Sequence, residues 1–321
     1  MELIIWAVLL VGVFGVEEEK KTNITFSPCP DTCSCTHSED GSINQASCKD
    51  SNPEYIFSMV PNTKHLIISG CSKPLTHVNI TTQSVGFIES LLLDGCLIDP
   101  SSVQNFKVFF SLARLEILNT RDPDLILLDC NVVKNLELIN LSGNRLTSNP
   151  ILNCSAPFLR NLNLSENSLS EFDFGDISGY RDLVYLDLSA NPLLELVPPE
   201  TDLSLTKLLL RDNRLLRTVC SQTFRSTPNL KHLDISFTNI QQVPLGLIQL
   251  KNIEELGIEG WIPTCDCQTA VRLQSVDSRD LYTGLQCLSP VSGTRFNFTA
   301  PGLLNSLDCG EIQIQVPRGN Y

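Results

Sequence analysis

The residues of this chain best suited to chemistry are its thirteen cysteines. Eight of them form two clusters: Cys29, Cys33, Cys35 and Cys48 near the start, and Cys265, Cys267, Cys287 and Cys309 near the end. Clustered thiols either bind zinc as thiolates or pair as disulfides, and four cysteines allow three connectivities. Disulfides persist in secreted proteins, whereas zinc–thiolate clusters of this kind belong mostly to reducing compartments, so the cellular location decides.

The beginning of the chain predicts secretion. An apolar run from Leu3 to Phe14 is too short to span a bilayer, which takes about 20 residues. It fits the core of a signal peptide over residues 1–15, with Val13 and Gly15 as small residues near the cleavage site. Glu2 stands where a positive charge is usual. No later stretch is apolar enough for a transmembrane segment, so we expect a secreted protein with disulfides in both cysteine clusters.

Catalytic and metal-binding patterns are lacking from the sequence. The four histidines, His37, His65, His77 and His232, have no zinc-hydrolase spacing. We find no nucleophile elbow, phosphate-binding glycine loop or dinucleotide fingerprint. We therefore expect a protein that is not an enzyme and that needs no metal or cofactor. The net charge of -13 argues against nucleic acid as a partner and indicates either simple solubility or a basic partner.

The two clusters lie at either end of a repeated segment. Leu205–Asn213 reads L-x-x-L-x-L-x-x-N, and the same element recurs every 22 to 25 residues. Its last position falls at Cys71, Cys96, Thr120, Asn144, Asn167, Asn191, Asn213, Thr238 and Trp261. A period this regular predicts a solenoid, with about nine repeats over residues 61–260.

Within each repeat, the central x-L-x-L-x part predicts a short strand with one buried face. In this register Leu208 and Leu210 point inward, whereas Lys207, Leu209 and Arg211 point outward. We expect successive strands to pair in parallel on the concave side, with irregular return segments on the convex side. The terminal Asn turns the chain, and its amide can bond the backbone of the next coil.

The repeat and the two cysteine clusters together resemble extracellular leucine-rich-repeat proteins with cysteine-rich flanking caps, of the Slit, Toll-like receptor and neuronal type. The first cluster matches C-P-x-x-C-x-C followed by a distant cysteine, and the second matches C-x-C…C…C directly after the last repeat. Trp261-Ile262-Pro263 stands where the family usually has Asn-Pro-Trp. Such caps are needed because a solenoid otherwise exposes its apolar ends.

The resemblance implies an α/β leucine-rich-repeat solenoid with a parallel concave sheet and disulfide-bonded caps. It places the caps at residues 16–60 and 261–310, followed by a tail at residues 311–321. It also implies that the first cysteine of each cluster pairs with the third and the second with the fourth. These pairs are Cys29–Cys35, Cys33–Cys48, Cys265–Cys287 and Cys267–Cys309.

Five cysteines lie between the clusters, and the repeat register predicts their surroundings. Cys130 and Cys154 occupy equivalent positions of adjacent coils, about 5 Å apart, and we expect a disulfide between them rather than two unlinked thiols. Cys71 and Cys96 both stand at the Asn position, where thiols can replace the amide as weak donors, so we favour unlinked thiols over a disulfide. Cys220 has no stacked partner, and we expect a buried thiol or, alternatively, an intermolecular link.

Outward-facing residues of the concave strands are the candidates for binding a protein partner. Aromatic residues next to charges are typical of protein interfaces, and they concentrate in repeats six to eight. The predicted partner-binding residues are Tyr185, Lys207, Leu209, His232, Asp234 and Phe237. The alternative is that these are scattered exposed apolar residues of the ordinary kind.

Six N-x-S/T sequons predict N-glycosylation of a secreted protein: Asn23, Asn79, Asn140, Asn153, Asn163 and Asn297. Asn140 and Asn163 fall in the central outward row of consecutive repeats. Glycans on both would shield the middle of the concave sheet and leave repeats six to eight, the first repeats or the convex side for a partner. The alternative is that one or both stay unoccupied, because a strand inside a sheet is a poor acceptor.

The resemblance implies non-catalytic protein binding in cell recognition, adhesion or signalling. Our leading interpretation is a secreted glycoprotein that binds an extracellular protein ligand or receptor. One alternative is a structural component of the extracellular matrix, although Val16 to Ser27 contains no Ser-Gly for a glycosaminoglycan. Another is the ectodomain form of a membrane receptor.

Overall fold

A computed structural model describes most of the chain between the two termini. The described residues are 26–60, 62–75, 86–98, 108–120, 130–150, 156–267, 270, 285–290, 292–297, 303 and 307. The predicted signal peptide, the predicted tail and the sequons at Asn23, Asn79 and Asn153 lie outside them. No helix among the described residues is long and apolar enough to cross a membrane.

The architecture is one long sheet whose strands follow the repeat. The strands are β1 (Cys33–His37), β2 (Ile43–Lys49), β3 (His65–Ser69), β4 (Ser90–Asp94), β5 (Arg114–Leu118), β6 (Leu138–Asn140), β7 (Asn161–Asn163), β8 (Glu171–Asp173), β9 (Tyr185–Asp187), β10 (Glu195–Val197), β11 (Lys207–Leu209), β12 (His232–Asp234), β13 (Glu255–Gly257), β14 (Gln286–Leu288) and β15 (Arg295–Asn297). Eleven of these form a single sheet in the order β1-β2-β3-β4-β5-β6-β7-β9-β11-β12-β13. The pair β1–β2 is antiparallel and every later pair is parallel. This is the predicted solenoid, and its fold class is confirmed.

A column of inward side chains forms the core. In β3 to β5 buried residues alternate strictly with half-buried or exposed ones, as a strand with one buried face requires. The first inward residue of eight successive repeat strands is at most 2% exposed: Leu66, Leu91, Leu115, Ile139, Leu162, Leu186, Leu208 and Leu233. Because each coil buries its apolar face only against its neighbours, stability depends on stacking.

The asparagine that ends each regular repeat connects adjacent coils. The Asn167 amide donates to the Leu164 carbonyl at 3.0 Å and to the Leu141 carbonyl of the preceding coil at 2.9 Å. Its Oδ1 accepts from the Leu146 amide, also in the preceding coil, at 3.0 Å. Asn144 and Asn191 bond in the same way. The ladder therefore reaches back to the preceding coil, and not to the next coil as the sequence suggested.

The residue before each Asn position adopts a left-handed backbone in ten successive coils. These residues are Asp50, Gly70, Gly95, Asn119, Gly143, Glu166, Ala190, Asp212, Phe237 and Gly260, with φ between 48° and 69°. The conformation turns the chain out of the sheet, and glycine adopts it without strain. Sequence reasoning missed this row, although glycine at four of the positions was a usable signal.

The convex side is irregular and short in helix. Among the described residues, its helices include Pro53–Met59, Cys130–Val133, Ser221–Arg225 and Leu245–Ile248, and a 3-10 turn lies at Phe174–Ile177. The return segments β8 and β10 pair in parallel as a separate two-stranded sheet. Phe224 points inward and is fully buried. The bulky return segments leave the eleven-stranded sheet as the open face.

The caps contain disulfides. Cys29 is bonded to Cys35, Cys33 to Cys48 and Cys265 to Cys287, and these are the pairs that the resemblance implied. Cys267 is also disulfide-bonded, while its predicted partner Cys309 lies outside the described residues.

The middle cysteines differ from expectation at two places. Cys71 and Cys96 form a disulfide, so the favoured interpretation of unlinked thiols was wrong; stacking in adjacent coils brings their Cα atoms to 4.8 Å. Cys220 is a free thiol, but it is exposed rather than buried, because it lies before the convex helix Ser221–Arg225. Cys130 is disulfide-bonded, and its predicted partner Cys154 lies outside the described residues.

Candidate functional site

The six predicted partner-binding residues lie on three neighbouring strands, β9, β11 and β12, or directly after them. We call this surface the concave patch. Tyr185, Lys207 and His232 are in register across the three strands. Two residues further along the strands, Leu209 lies in register between Asp187 and Asp234. Sequence-distant residues are thus brought together by the stacking of coils, since equivalent positions lie about 5 Å apart.

Tyr185 is held from two sides. Its hydroxyl donates to Asp187 Oδ2 at 3.2 Å, and the Lys207 ammonium lies 5.6 Å from the centre of its ring. Asp187 is itself buried and accepts from the Ser189 amide at 2.9 Å. Burial, together with the negative charge of Asp187 and the hydrogen bond to it, raises the pKa of Tyr185 to about 12. The tyrosine is therefore neutral and fixed in orientation at physiological pH.

His232 and Asp234 occupy the next strand of the patch. His232 Nδ1 lies 3.0 Å from Glu255 Oε2 on β13. Asp234 Oδ1 accepts from the Ser236 amide at 2.8 Å. Gly257 lies beside it in register, and a Cβ there would be only 2.4 Å from the same oxygen. The absence of a side chain at Gly257 thus leaves room for the Asp234 carboxylate.

Arg211 is a central residue of the patch that the sequence reasoning left out of the binding set. Its guanidinium lies 4.7 Å from the centre of the Phe237 ring. It pairs with Glu259 at 3.2 Å, with Asp212 at 3.6 Å and with Asp234 at 3.8 Å. Asp212 is the next residue in sequence, whereas Asp234, Phe237 and Glu259 come from the following two coils, so most of these contacts depend on the stacking. The only sequence signal was a basic outward residue next to acidic positions.

Phe237 stands in a backbone conformation that bulky residues rarely adopt. Its φ is 55°, in the left-handed row where other coils have Gly, Asn, Asp, Glu or Ala. Its ring packs against the backbone of Gly260, where a Cβ would lie 2.5 Å from the ring. A left-handed conformation costs an L-residue about 1–2 kcal/mol. Residues in such conformations are concentrated at functional sites.

The concave patch, taken together with Glu255 and Glu259 of the adjoining β13 coil, has a surplus of negative charge. Asp187, Asp212, Asp234, Glu255 and Glu259 supply five carboxylates, and Lys207, Arg211 and Arg214 supply three permanent cations, which leaves a net charge of about -2 with neutral histidine. Among the described residues no group of His, Cys, Asp or Glu could hold a metal ion. Such a surface can bind the side chains of a partner.

Two of the predicted glycosylation sites occupy a structural position of the repeat. Asn140 and Asn163 accept from the serine amide two residues on, at 3.2 and 2.9 Å. Asp187 and Asp234 make the same turn with Ser189 and Ser236. The N-x-S pattern at Asn140 and Asn163 therefore has a second cause, because the turn needs an Asn or Asp followed by an amide donor.

The sequons differ in their surroundings. The Asn140 amide already donates to Glu116 Oε2 at 3.0 Å, and Asn163 lies in register beside Asp187 at the border of the concave patch. Asn297 lies on β15 and is exposed. Glycosylation at all six sites stays a prediction.

Comparison with known proteins agrees with this architecture. A family model described as Leucine rich repeat matches residues 204–260. Tsukushi of Gallus gallus is 34% identical over 168 residues, which are 51% of this chain and 39% of Tsukushi. Lumican of Mus musculus is 24% identical over 237 residues, 72% of this chain and 67% of lumican. The chain therefore matches only about two fifths of Tsukushi.

Two solved structures share the fold at low sequence identity. The leucine-rich-repeat domain of the type III effector XopL superposes with a TM-score of 0.54 at 22% identity, over 67% of this chain and 76% of that one. A chain of the octameric complex of Latrophilin 3, Unc5D and FLRT2 (LRR) gives a TM-score of 0.51 at 17% identity, over 88% of this chain and 100% of that one. These likenesses support the solenoid fold alone.

The relatives also decide two expectations about location and activity. Tsukushi and lumican are non-catalytic, which confirms the prediction that this chain is not an enzyme. They are extracellular, as the disulfides of this chain also indicate. The chain is thus an extracellular leucine-rich-repeat protein related to Tsukushi and lumican, with disulfide-bonded N- and C-terminal caps.

Proposed function

We propose that this protein is a secreted matrix protein of the small leucine-rich proteoglycan kind, which binds another extracellular protein through its concave patch. The observation that carries the proposal is that neighbouring coils present two pairs of a cation and an aromatic ring, Tyr185 with Lys207 and Phe237 with Arg211. Tyrosine and arginine are enriched among residues that dominate binding energy. Here each is fixed by its neighbours, so little side-chain entropy is lost when a partner binds.

The kinship with lumican and Tsukushi favours the matrix interpretation over cell adhesion or a receptor ectodomain. A matrix protein acts by holding other proteins, and a rigid stack of coils with one open sheet suits that task. The surplus of carboxylates on the patch favours a partner whose contacting surface is basic. The partner itself is a protein of the extracellular space.

Glycans are part of the same proposal. A glycan on Asn163 would border the patch at Asp187, and one on Asn140 would extend the covered area away from it. Both would leave β9, β11 and β12 accessible, as well as the strands of the first repeats. Shielding of the middle strands is thus compatible with binding at the concave patch.

The experiment compares three forms of the tagged protein in capture from extracellular-matrix extract, followed by measurement of affinity with each purified partner. The first form is unchanged; the second carries Tyr185→Ala, Lys207→Ala and His232→Ala. The matched control carries Arg114→Ala and Leu138→Ala, on neighbouring strands of the same concave face.

We expect the triple variant to weaken binding at least about 10-fold, because truncation of a central interface residue typically costs more than 1 kcal/mol. The control should stay close to the unchanged protein. Equal loss in both variants, at equal thermal stability, would contradict the assignment of the patch.

A further inference from the structure

Three exposed phenylalanines lie on the side of the solenoid where the chain begins each strand, which we call the strand-start flank. Phe87 is 53% exposed, Phe110 58% and Phe158 56%. They occupy the tips of the tight turns that precede β4, β5 and β7. The same tips in later coils carry the exposed polar residues Asp182, Asn229 and Asn252. Exposed turns normally favour polar residues, so the three aromatic rings need another explanation.

A ladder of backbone hydrogen bonds gives the order of charges along this flank. The residue before each strand donates its amide to the equivalent carbonyl of the preceding coil: Glu89 to Lys64 at 2.8 Å, Ala113 to Glu89 at 2.9 Å, Glu137 to Ala113 at 2.8 Å, and Arg160 to Glu137 at 2.9 Å. These residues therefore follow one another at the strand spacing of about 4.8 Å. From the second coil to the fifth, the row reads acidic, neutral, acidic, basic.

The remaining exposed residues of these coils complete the pattern. Arg114 lies beside Ala113 in the third coil, and Lys134 stands at the turn tip of the fourth coil. Both are exposed, as are Glu137 and Arg160. Each of the four coils thus presents one turn-tip group, aromatic or cationic, and one charge at the strand start.

The pattern is self-complementary about a point between the third and fourth coils. A two-fold rotation there brings the second coil onto the fifth of another copy, so Phe87 meets Phe158 and Glu89 meets Arg160. It brings the third coil onto the fourth, so Phe110 meets Lys134 and Arg114 meets Glu137. Aromatic pairs, cation–aromatic pairs and opposite charges all stabilise an interface. Every contact occurs twice, as an isologous interface requires.

Neighbouring positions of the rotation axis fit less well. An axis through the third coil would put Glu89 against Glu137 and Lys64 against Arg160. An axis between the second and third coils would pair Phe87 with Phe110 but leave Phe158 exposed. Of these three positions, the axis between the third and fourth coils is the one that covers all three phenylalanines and opposes unlike charges at both pairs.

We propose that this protein forms a two-fold homodimer through the strand-start flank of its second to fifth coils, with Phe87 and Phe158 as apolar anchors and Glu89–Arg160 as the pair that fixes the register. The four coils span about 14 Å between the outer pairs, three strand spacings. This footprint is small for a permanent interface, so the dimer is reversible and depends on protein concentration. The dimer leaves the concave patch free.

The experiment is sedimentation velocity of the full secreted protein over a concentration series, in a Cys220→Ser background that removes the exposed thiol as a crosslink. We expect a monomer–dimer equilibrium. Phe87→Ser with Phe158→Ser should weaken it at least about 10-fold, because aromatic anchors are lost on both copies. Glu89→Arg alone and Arg160→Glu alone should each weaken it similarly, since like charges then meet twice.

Mixing the two charge variants is the decisive step. In a heterodimer of the Glu89→Arg and Arg160→Glu chains both pairs are again of opposite sign, so dimerisation should return to near the original level. Glu254→Arg is the matched control, because Glu254 has the same place in the row and pairs with Lys231 of its own chain at 2.7 Å, as Glu89 pairs with Lys64 at 3.1 Å. A protein that stays monomeric, a phenylalanine variant that dimerises normally, or a mixture that fails to recover would each overturn the proposal.

Discussion

Replacing Asn167 by alanine should destabilise the solenoid more than any exposed asparagine could. The change removes three hydrogen-bonding groups: the Oδ1 that accepts from Leu146 at 3.0 Å, and two amide N–H groups shared among the carbonyls of Leu141, Leu164 and Ser165 at 2.9, 3.0 and 3.0 Å. At about 1 kcal/mol for each group, the loss is about 3 kcal/mol. The Leu146 amide is left without an acceptor, which adds about 1 kcal/mol or more. The expected decrease in the free energy of unfolding is therefore about 4 kcal/mol.

The assay is urea unfolding of the purified secreted protein, with intrinsic fluorescence and far-UV circular dichroism as probes. The midpoint should fall while the slope with denaturant stays unchanged, since the native burial is otherwise preserved. Asn229→Ala is the matched control, because Asn229 is exposed at a turn tip and should change stability by less than about 0.5 kcal/mol. Equal effects of the two substitutions would refute the reasoning that the asparagine ladder holds the coils together.

Three further predictions concern the backbone, the patch and the cysteines. Gly143→Ala should destabilise the protein by at least about 1–2 kcal/mol in the same assay, because φ at this residue is +69° and the new Cβ would lie 2.3 Å from Asn119 Oδ1. Gly179→Ala is the control and should be tolerated, because its Cβ would meet no atom within 4 Å. The raised pKa means that Tyr185 should ionise at about pH 12. The contacts of the neutral hydroxyl therefore stabilise the folded protein below the ordinary tyrosine pKa, and this stabilisation is lost as the pH rises through the raised pKa. In a titration that follows tyrosinate absorbance, Tyr185→Phe should remove the ionisation near pH 12. Peptide mapping without reduction should find Cys71–Cys96, together with the predicted Cys130–Cys154 and Cys267–Cys309, and a maleimide should label Cys220 in the native protein; a labelled Cys130 would contradict the stacked pair.

The repeat period made the strand register predictable. The outward row predicted from the sequence begins at His65 and ends at Glu255, and these are the first residues of β3 and β13. Period and alternation suffice for this, because one residue of slip would turn every inward leucine to solvent. The three cap pairs in the described residues agree with the resemblance, which no argument from spacing alone could have supplied.

What the sequence missed depends on contacts between coils. Arg211 gains its partners from Glu259, two coils away, and from Phe237 in the next coil. The sequence favoured unlinked thiols at Cys71 and Cys96 because a thiol can also replace asparagine in the turn, yet stacking brings the two sulfurs together. The left-handed row was hidden because six of its ten residues are not glycine. In each case the contact depends on the distance between residues of different coils, and the sequence of a single repeat does not give this distance.

The measurement that tests the proposed function most directly is hydrogen–deuterium exchange of the full protein with and without a captured matrix partner. Binding at the concave patch predicts new protection in β9, β11 and β12 and in the turn that contains Phe237, with little change in β4 to β6. The strand-start flank of the second to fifth coils should remain unchanged by the partner at a fixed degree of dimerisation. Protection confined to the convex helices, or to the strands around Asn140, would contradict the account.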